Sequence, residues 1–411
     1  MNTDAIKLKP SPFAAETKRP RVFVTQGEDP YRTARAALSC IDLACVSGKR
    51  VLLKPNAGRV AAPGSGIITD ARVVAAAIDA FREAGAIVAV GESPITGVKV
   101  GEAFEASGIA QAARERRCPL IDMDAGRPIE VPLPDGKAID SIKVCREALE
   151  YDVVVSMPVM KIHMHTGVTL AVKNMKGCLW RRCKVDLHML PILRGEDGRS
   201  LDIAIADMAG VLRPHLSIVD GTVGMEGLGP SAGKSKALGV VVAGTDPFAV
   251  DGVACGLMGR NAGEIPHLRI GAERGYGTID LEKISVSPET WRDLGADFEP
   301  APENLSIEFP NVNILDEQSC SACQSTLLLF LQRHGDELRE YFPAGERINI
   351  AIGKGHTELP AGTLCIGNCT SCHKDRGPFV AGCPPVGSAI LKIVQTEGHP
   401  PGRQVFKGGT D

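Results

Sequence analysis

RVLLKPNAGRVAAPGSGIITDARVVAAAIDAFREAGAIVAVGES, residues 50–93, contains two apolar runs that end in polar residues, with a helix-spaced segment between them. The first run reads as a buried strand that delivers Lys54, Pro55 and Asn56 at its carboxyl end. A loop with Pro63 and Gly64 follows. Asp70 stands where a short carboxylate can accept from the free N–H groups of a first helical turn, and Gly85 can end that helix. The second run ends at Glu92-Ser93-Pro94. Strands that are apolar throughout and joined by an amphipathic helix predict a parallel sheet covered on both faces.

The same alternation extends in both directions. RVFVTQG from Arg21 is a strand, and YRTARAALSCIDLACVS has helical spacing with Cys40 and Cys45 at packing positions. A helix is expected around Ala103–Arg116, then a strand in PLIDMDAG. PIEVPLPDGKAIDSIKV reads as a hairpin with a Pro-Asp-Gly turn. The expected fold class is therefore α/β: a largely parallel sheet with helices on both faces over residues 21–298, in one piece or as two lobes split near 150. Residues 1–20 are polar and dotted with proline and are expected to be a loose, flexible arm. Ligands of such sheets bind beyond the carboxyl ends of the strands, where Lys54, Asn56, Glu92 and Asp122 or Asp124 would lie.

YDVVVSMPVMK, from Tyr151, reads as one strongly apolar strand that runs into KIHMHTGVTLAVKNMKGCL. Lys161, His163, Lys173 and Asn174 are interleaved there with apolar residues. GVTLAVKNMKG has helix-compatible spacing, with Thr166 or Thr169 as a cap. A helix N-terminus beside lysines is suited to an anion; lysines snorkelling from a half-buried helix are the plainer reading. His163 and His165 could form a metal pair on a strand, but no third ligand is evident. In GTVGMEGLGPSAGKSK a Walker reading fails, because the P-loop spacing would need glycine at 228, where the chain has leucine. A long surface loop, or one that cradles phosphate with its N–H groups, stays open. In GTDPFAVDGVACGLMG, Asp246 is an N-cap candidate and Asp251 lies further along the helix, able to face the loop before it.

Composition narrows the function classes. The formal net charge is -3, which gives no general affinity for nucleic acid or anionic membrane. Aromatic residues are 4% of the chain, too few for a base-stacking platform. No stretch approaches a membrane span, and no secretory signal is evident, so a cytoplasmic protein is expected.

Six of the thirteen cysteines lie in two short runs, CSAC at Cys320–Cys323 and CIGNCTSCHKDRGPFVAGCPP at Cys365–Pro385. Grouped thiols of this kind in a cytosolic chain point to a metal rather than to disulfides. An iron–sulfur cluster, of the 4Fe-4S type, is the first expectation, and a structural zinc site the alternative. Cys320, Cys323, Cys369 and Cys383 are the expected ligands, with Cys372 as an alternate to Cys369. Cys365 sits in an apolar strand and reads as a buried structural thiol. After a proline-rich join, a small α/β module over 311–411 would hold this site: CSAC, a helix in STLLLFLQRHGDELREYF, strands INIAIG and TLCIG, the cysteine loop, and a helix in SAILKIVQ.

At LKPN (53–56), MPVMKIHMHTGVTLAVKNMKG (157–177), IVDGTVGMEGLGPSAGK (218–234) and GTDPFAVDGVACGLMG (244–259) the chain resembles the domain of unknown function 362 family, over roughly residues 20–285. The family has no settled reaction, so the resemblance implies no catalytic residue; it marks Lys54, Asn56, Lys161, Lys173, Asn174 and Asp251 as candidate site residues. Several members carry a ferredoxin-like iron–sulfur segment, whereas this chain has a different cysteine module. Its Gly-Cys-Pro-Pro turn resembles the cluster-binding turn of the small iron–sulfur subunit of respiratory complex one. The expected function is an iron–sulfur oxidoreductase or electron-transfer protein with a small anionic ligand and a redox partner protein. A carrier of a metal or cluster, and a zinc-stabilised non-redox enzyme, are the alternatives.

Overall fold

A computed structural model describes residues 6–13, 19–191, 193, 199–302, 309–342 and 347–397. The chain divides into two units, Met1–Ala301 and Pro302–Asp411. The first unit runs through β1 (Arg21–Gln26), β2 (Arg50–Pro55), β3 (Ile87–Glu92), β4 (Leu120–Asp122) and a separate hairpin of β5 (Ile129–Pro132) and β6 (Ser141–Val144). It continues with β7 (Val153–Met157), β8 (Val159–His163), β9 (Gly167–Thr169), β10 (Leu216–Glu226), β11 (Lys234–Gly244) and β12 (Ser285–Ser287). The main sheet has the order β12-β1-β11-β10-β7-β2-β3-β4, and β8 and β9 branch from β10. Its centre, β10-β7-β2-β3-β4, is parallel throughout.

Side-chain alternation explains why both faces are covered. Val51 and Leu53 of β2 pack with the helices Pro30–Ser39, Ala71–Glu83 and Ile109–Glu115. Leu52, between them, packs on the opposite face with the helices Ser200–Ala209 and Pro247–Leu257. A strand sandwiched in this way has no polar face, which is why it reads as a continuous apolar run. Asp70 caps Ala71–Glu83 by accepting from the Arg72 N–H at 2.8 Å, and Gly85 leaves that helix at φ +84°.

Several expectations are corrected by local chemistry. The helix expected around Ala103–Arg116 is two helices, Val100–Ala106 and Ile109–Glu115, parted by Gly108 at φ +78°. The single strand expected in YDVVVSMPVMK is two, because Pro158 lacks the N–H that would continue the ladder and β8 turns to pair with the far half of β10. GVTLAVKNMKG begins as β9, followed by a helix of only four residues, Ala171–Asn174, and a tight turn. GTVGMEGLGPSAGKSK is the tip of a long hairpin of β10 and β11, in which residues 227–233 form the connecting loop. A Cβ on Gly229 would fall 1.8 Å from the Ile162 carbonyl oxygen, and one on Gly233 2.2 Å from that of Glu226. These glycines permit close packing against β8 and within the hairpin.

Residues 1–5 and 14–18 of the expected arm lie outside the described residues. The part between them is anchored: Leu8 donates its N–H to the Val211 carbonyl at 3.0 Å and is buried in the core. Lys9 pairs with Asp152 at 2.7 Å.

In the second unit β13 (Val312–Asp316), β14 (Ile348–Ile352), β15 (Leu364–Ile366) and β16 (Phe379–Val380) form a parallel sheet in sequence order. The helices Ser321–His334 and Gly387–Glu397 bury Leu327, Phe330, Leu331, Ile390 and Val394 against it. β13 lies where the sequence reads only as the end of a proline-rich join. The first helix stops at His334 and gives way to a short turn of helix at Glu337–Glu340, so it does not reach Phe342 as expected.

Candidate functional site

The first unit gathers its ionisable residues at the carboxyl ends of β2, β3 and β8. Lys54, near the end of β2, is buried, and its Nζ donates to Glu92 Oε2 at 3.0 Å, to Asn174 Oδ1 at 3.2 Å and to the Pro55 carbonyl at 3.1 Å. Glu92 also accepts from the N–H groups of Ala57 (3.1 Å) and Ser93 (2.8 Å). The Asn174 amide is held at its other end, donating to the Lys54 carbonyl at 3.2 Å and Ser156 Oγ at 3.1 Å. Gly177 lies directly on this pair: a Cβ there would stand 2.4 Å from Lys54 Nζ and 2.5 Å from Glu92 Oε1.

Asp251 explains how the short helix Ala171–Asn174 forms at all. Four residues do not sustain a helix alone. Its first two N–H groups, those of Ala171 and Val172, donate to the two carboxylate oxygens of Asp251 at 2.7 and 2.9 Å. Neither Thr166 nor Thr169 caps it. The helix N-terminus that the sequence offered to a foreign anion is already capped by this internal carboxyl. Burial pushes the Asp251 carboxyl up to about 8, against the pull of the two N–H groups.

Around this frame stand amines that, among the described residues, have no carboxylate within ion-pair distance. Lys161 Nζ donates to the Ile67 carbonyl at 2.8 Å, and Lys173 Nζ approaches Thr169 Oγ1 at 3.5 Å. Lys176 Nζ contacts His188 Nε2. Burial holds Lys161 and Lys176 well below the ordinary lysine range, and the neighbouring Lys173 charge adds to both effects. Lys173 is lowered to about 8 by burial, with Asp202 opposing. His163 accepts the His165 N–H on Nδ1 at 3.2 Å, and the two rings meet edge to face with centroids 5.5 Å apart. Burial and then Lys173 keep His163 well below its usual value. Asn56 is fixed through its backbone, donating to Thr69 Oγ1 at 2.8 Å and the Met157 carbonyl at 3.0 Å.

Lys184 belongs to the same neighbourhood and was not legible in sequence. Its buried Nζ contacts Ser93 Oγ and lies 3.7 Å from Asp124. It comes from an irregular stretch without period, so only its charge could have drawn notice.

In the second unit, Cys320 precedes the helix Ser321–His334 and Cys323 lies in its first turn. A hydrogen bond from Cys323 and nearby backbone N–H groups hold the Cys320 thiol down to about 6. The Cys323 thiol is pushed up by sharing that bond, by burial, and by the neighbouring charges of Cys320, Cys369 and Cys383. Asn368 explains how the latter two come together. Its N–H donates to the Gly382 carbonyl at 2.9 Å and its Oδ1 accepts from the Gly382 N–H at 2.8 Å. The turn carrying Cys369 is thereby zipped to the turn carrying Cys383. Gly367, at φ +94°, leaves room for the Cys323 sulfur, which a Cβ would approach to 3.4 Å.

Cys372 is exposed and stands instead beside Cys365, whose thiol is fully buried and contacts the His373 carbonyl at 3.6 Å. Among the described residues, no three His, Cys, Asp or Glu side chains already stand as a single-ion site. The donor set, four thiols, suits a thiolate-bound metal centre, either tetrahedral zinc or a four-iron cluster.

The family model described as "Domain of unknown function (DUF362)" matches residues 51–256. The chain belongs to this family. A thylakoid-associated protein of Synechocystis sp. is 32% identical over 219 residues, a match covering 53% of this chain and 66% of that protein, so just under two thirds of the relative's length is represented. Among solved structures, the lactate racemase apoprotein from Thermoanaerobacterium thermosaccharolyticum aligns over 66% of this chain and 61% of its own with TM-score 0.38 and 15% identity. The DUF362 match, from β2 to the helix Pro247–Leu257, includes Lys54, Lys161, Lys173, Lys176, Lys184 and Asp251. The four-thiol group lies outside it. Among the described residues no helix is long and apolar enough to cross a membrane.

Proposed function

We propose that this DUF362 protein is an iron–sulfur protein, an oxidoreductase or electron-transfer protein that acts on a small anionic substrate or cofactor. The observation that carries the reading is that the charges of Cys320, Cys369 and Cys383 bear on the Cys323 thiol, whereas that of Cys372 bears on Cys365. A 4Fe-4S cluster on those four thiolates would supply single-electron transfer. The protein's own residues hold it: the helix start orients Cys320 and Cys323, and Asn368 locks the two turns that carry the others. In the DUF362 unit the buried lysines attract and orient the anion. Lys54, Glu92 and Asn174 fix the floor of that site.

A scan of the six cysteines tests the assignment. Serine at 320, 323, 369 or 383 should remove the bound metal, while serine at 365 or 372 should leave it. Metal retained without Cys369 and lost without Cys372 would reject this ligand set. The spare pair Cys365 and Cys372 favours one second reading, a cluster carrier that hands its cargo to a partner. Transfer of iron and sulfide to an apo-ferredoxin, with no ligand-dependent redox change, would support that reading instead.

A further inference from the structure

Five lysines of the DUF362 unit are buried: Lys54, Lys161, Lys173, Lys176 and Lys184 are between 1% and 9% exposed. Snorkelling does not explain them, since it keeps the ammonium in water. Two have acids, Glu92 at 3.0 Å from Lys54 and Asp124 at 3.7 Å from Lys184. Among the described residues the other three have no carboxylate in ion-pair reach; their contacts are a carbonyl, a hydroxyl at 3.5 Å and an imidazole.

We infer that the ligand of this cluster is a small anion carrying at least two negative charges, and that the protein takes up protons as it binds. The inference rests on the reading of these lysines as the anion site and names the ligand's charge class. A buried ammonium without a partner is strongly disfavoured, and three together more so. A monoanion could balance one ammonium among the three, a dianion two.

The groups facing Lys173 set the sign. Lys161 and His163 of β8, Lys176 from the following turn, and His188 add to or compete with its positive charge. Asp202, from the helix Ser200–Ala209, is the acid that favours its charged form, and it also meets His267 Nδ1 at 3.1 Å. Glu92 favours the charged form of Lys161 but is already paired with Lys54, and Arg59 opposes it. These two engaged carboxylates do not neutralise the group, so without ligand the amines give up protons. An incoming dianion restores them.

Lysines are compact point charges, without the planar fork with which arginine grips a carboxylate. Amines converging from β8, from Ala171–Asn174 and from the following turn suit either a phosphoryl group or a compact polycarboxylate.

Calorimetric titration of the purified full chain at pH 8, in two buffers of different ionisation enthalpy, tests the inference. The probes are inorganic pyrophosphate and citrate, with chloride and acetate as monoanion controls. We expect one dianion class to bind with uptake of about one proton per anion, and Lys173→Met to weaken it by about tenfold or more with less uptake. Pyrophosphate alone binding assigns a phosphoryl ligand; citrate alone assigns a polycarboxylate. Heat that is the same in both buffers overturns the proton uptake but leaves the anion site standing. Acetate or chloride binding as tightly as the dianions overturns the charge class. No binding of any probe by chain with native far-UV dichroism overturns the anion site itself.

Discussion

Asp251 places one carboxylate oxygen 2.7 Å from the Ala171 N–H, across eighty positions of sequence. The contact makes the helix Pro247–Leu257 the cap of the helix that carries Lys173 and Asn174. Two chain segments that match the family pattern thus form one structural device.

Asp251→Ala should therefore act on stability as well as on the site. It leaves two buried N–H groups without acceptors, and each costs about 1–3 kcal/mol. The expected loss is about 2–6 kcal/mol in urea unfolding, together with weaker anion binding. An unchanged midpoint would mean that the helix does not depend on this cap.

Lys173→Met should have the opposite effect on the unliganded protein. The substitution keeps the length of the side chain and removes a buried amine whose only described hydrogen bond is 3.5 Å long. With the amine lowered to about 8 from an unfolded value near 10.5, its charge costs the fold about 3 kcal/mol at or below pH 8. A melting temperature several degrees above wild type is expected. A lower one would show that Lys173 has a partner that stabilises it.

The same substitution gives a pH signature. The lysine's folded value lies below its unfolded one, so between about 8 and 10.5 the unfolded chain binds more protons. The penalty is complete at pH 8, shrinks as pH rises and vanishes near 10.5. The stability gained by Lys173→Met should follow that course. Comparing variant with wild type removes the opposing effect of buried thiols such as Cys118, pushed up to about 11, and Cys178, pushed up to about 12. A gain that stays constant from pH 7 to 10 would contradict the assignment.

Gly177→Ala should disturb the floor of the site without changing any charge. The added methyl would stand 2.4 Å from Lys54 Nζ and 2.5 Å from Glu92 Oε1, so these buried side chains must shift. Overpacking of this kind costs about 1–3 kcal/mol, and anion affinity should fall with it. Full affinity in a stable Gly177→Ala protein would exclude the Lys54–Glu92 pair from the site.

What was legible in sequence follows from the range of the cause. β2, β3 and the helix Ala71–Glu83 are decided by runs of neighbours and a local cap, and they are where the sequence places them. The stretch from Gly167 to Gly177 is decided by Asp251 and by pairing with β8, neither of which is nearby in sequence, so its helical spacing overstated its helix. The β10–β11 hairpin was hidden because its glycines are there for close packing, and composition alone reads them as a loop. Lys54, Lys161, Lys173, Asn174 and Asp251 stood out as polar residues in apolar surroundings. Their common enclosure, and the inclusion of Lys184, depend on tertiary contacts. Asn368 ties the turn of Cys369 to Gly382, and the charges of Cys320 and Cys383 bear on Cys369, long-range contacts that spacing could not show.

Anaerobic purification with iron, acid-labile sulfide and zinc analysis, and an absorption spectrum before and after dithionite, tests the central claim most directly. About four irons and four sulfides per chain, with a visible band that bleaches on reduction, is the predicted result. One zinc per chain, no sulfide and no bleachable band would contradict it.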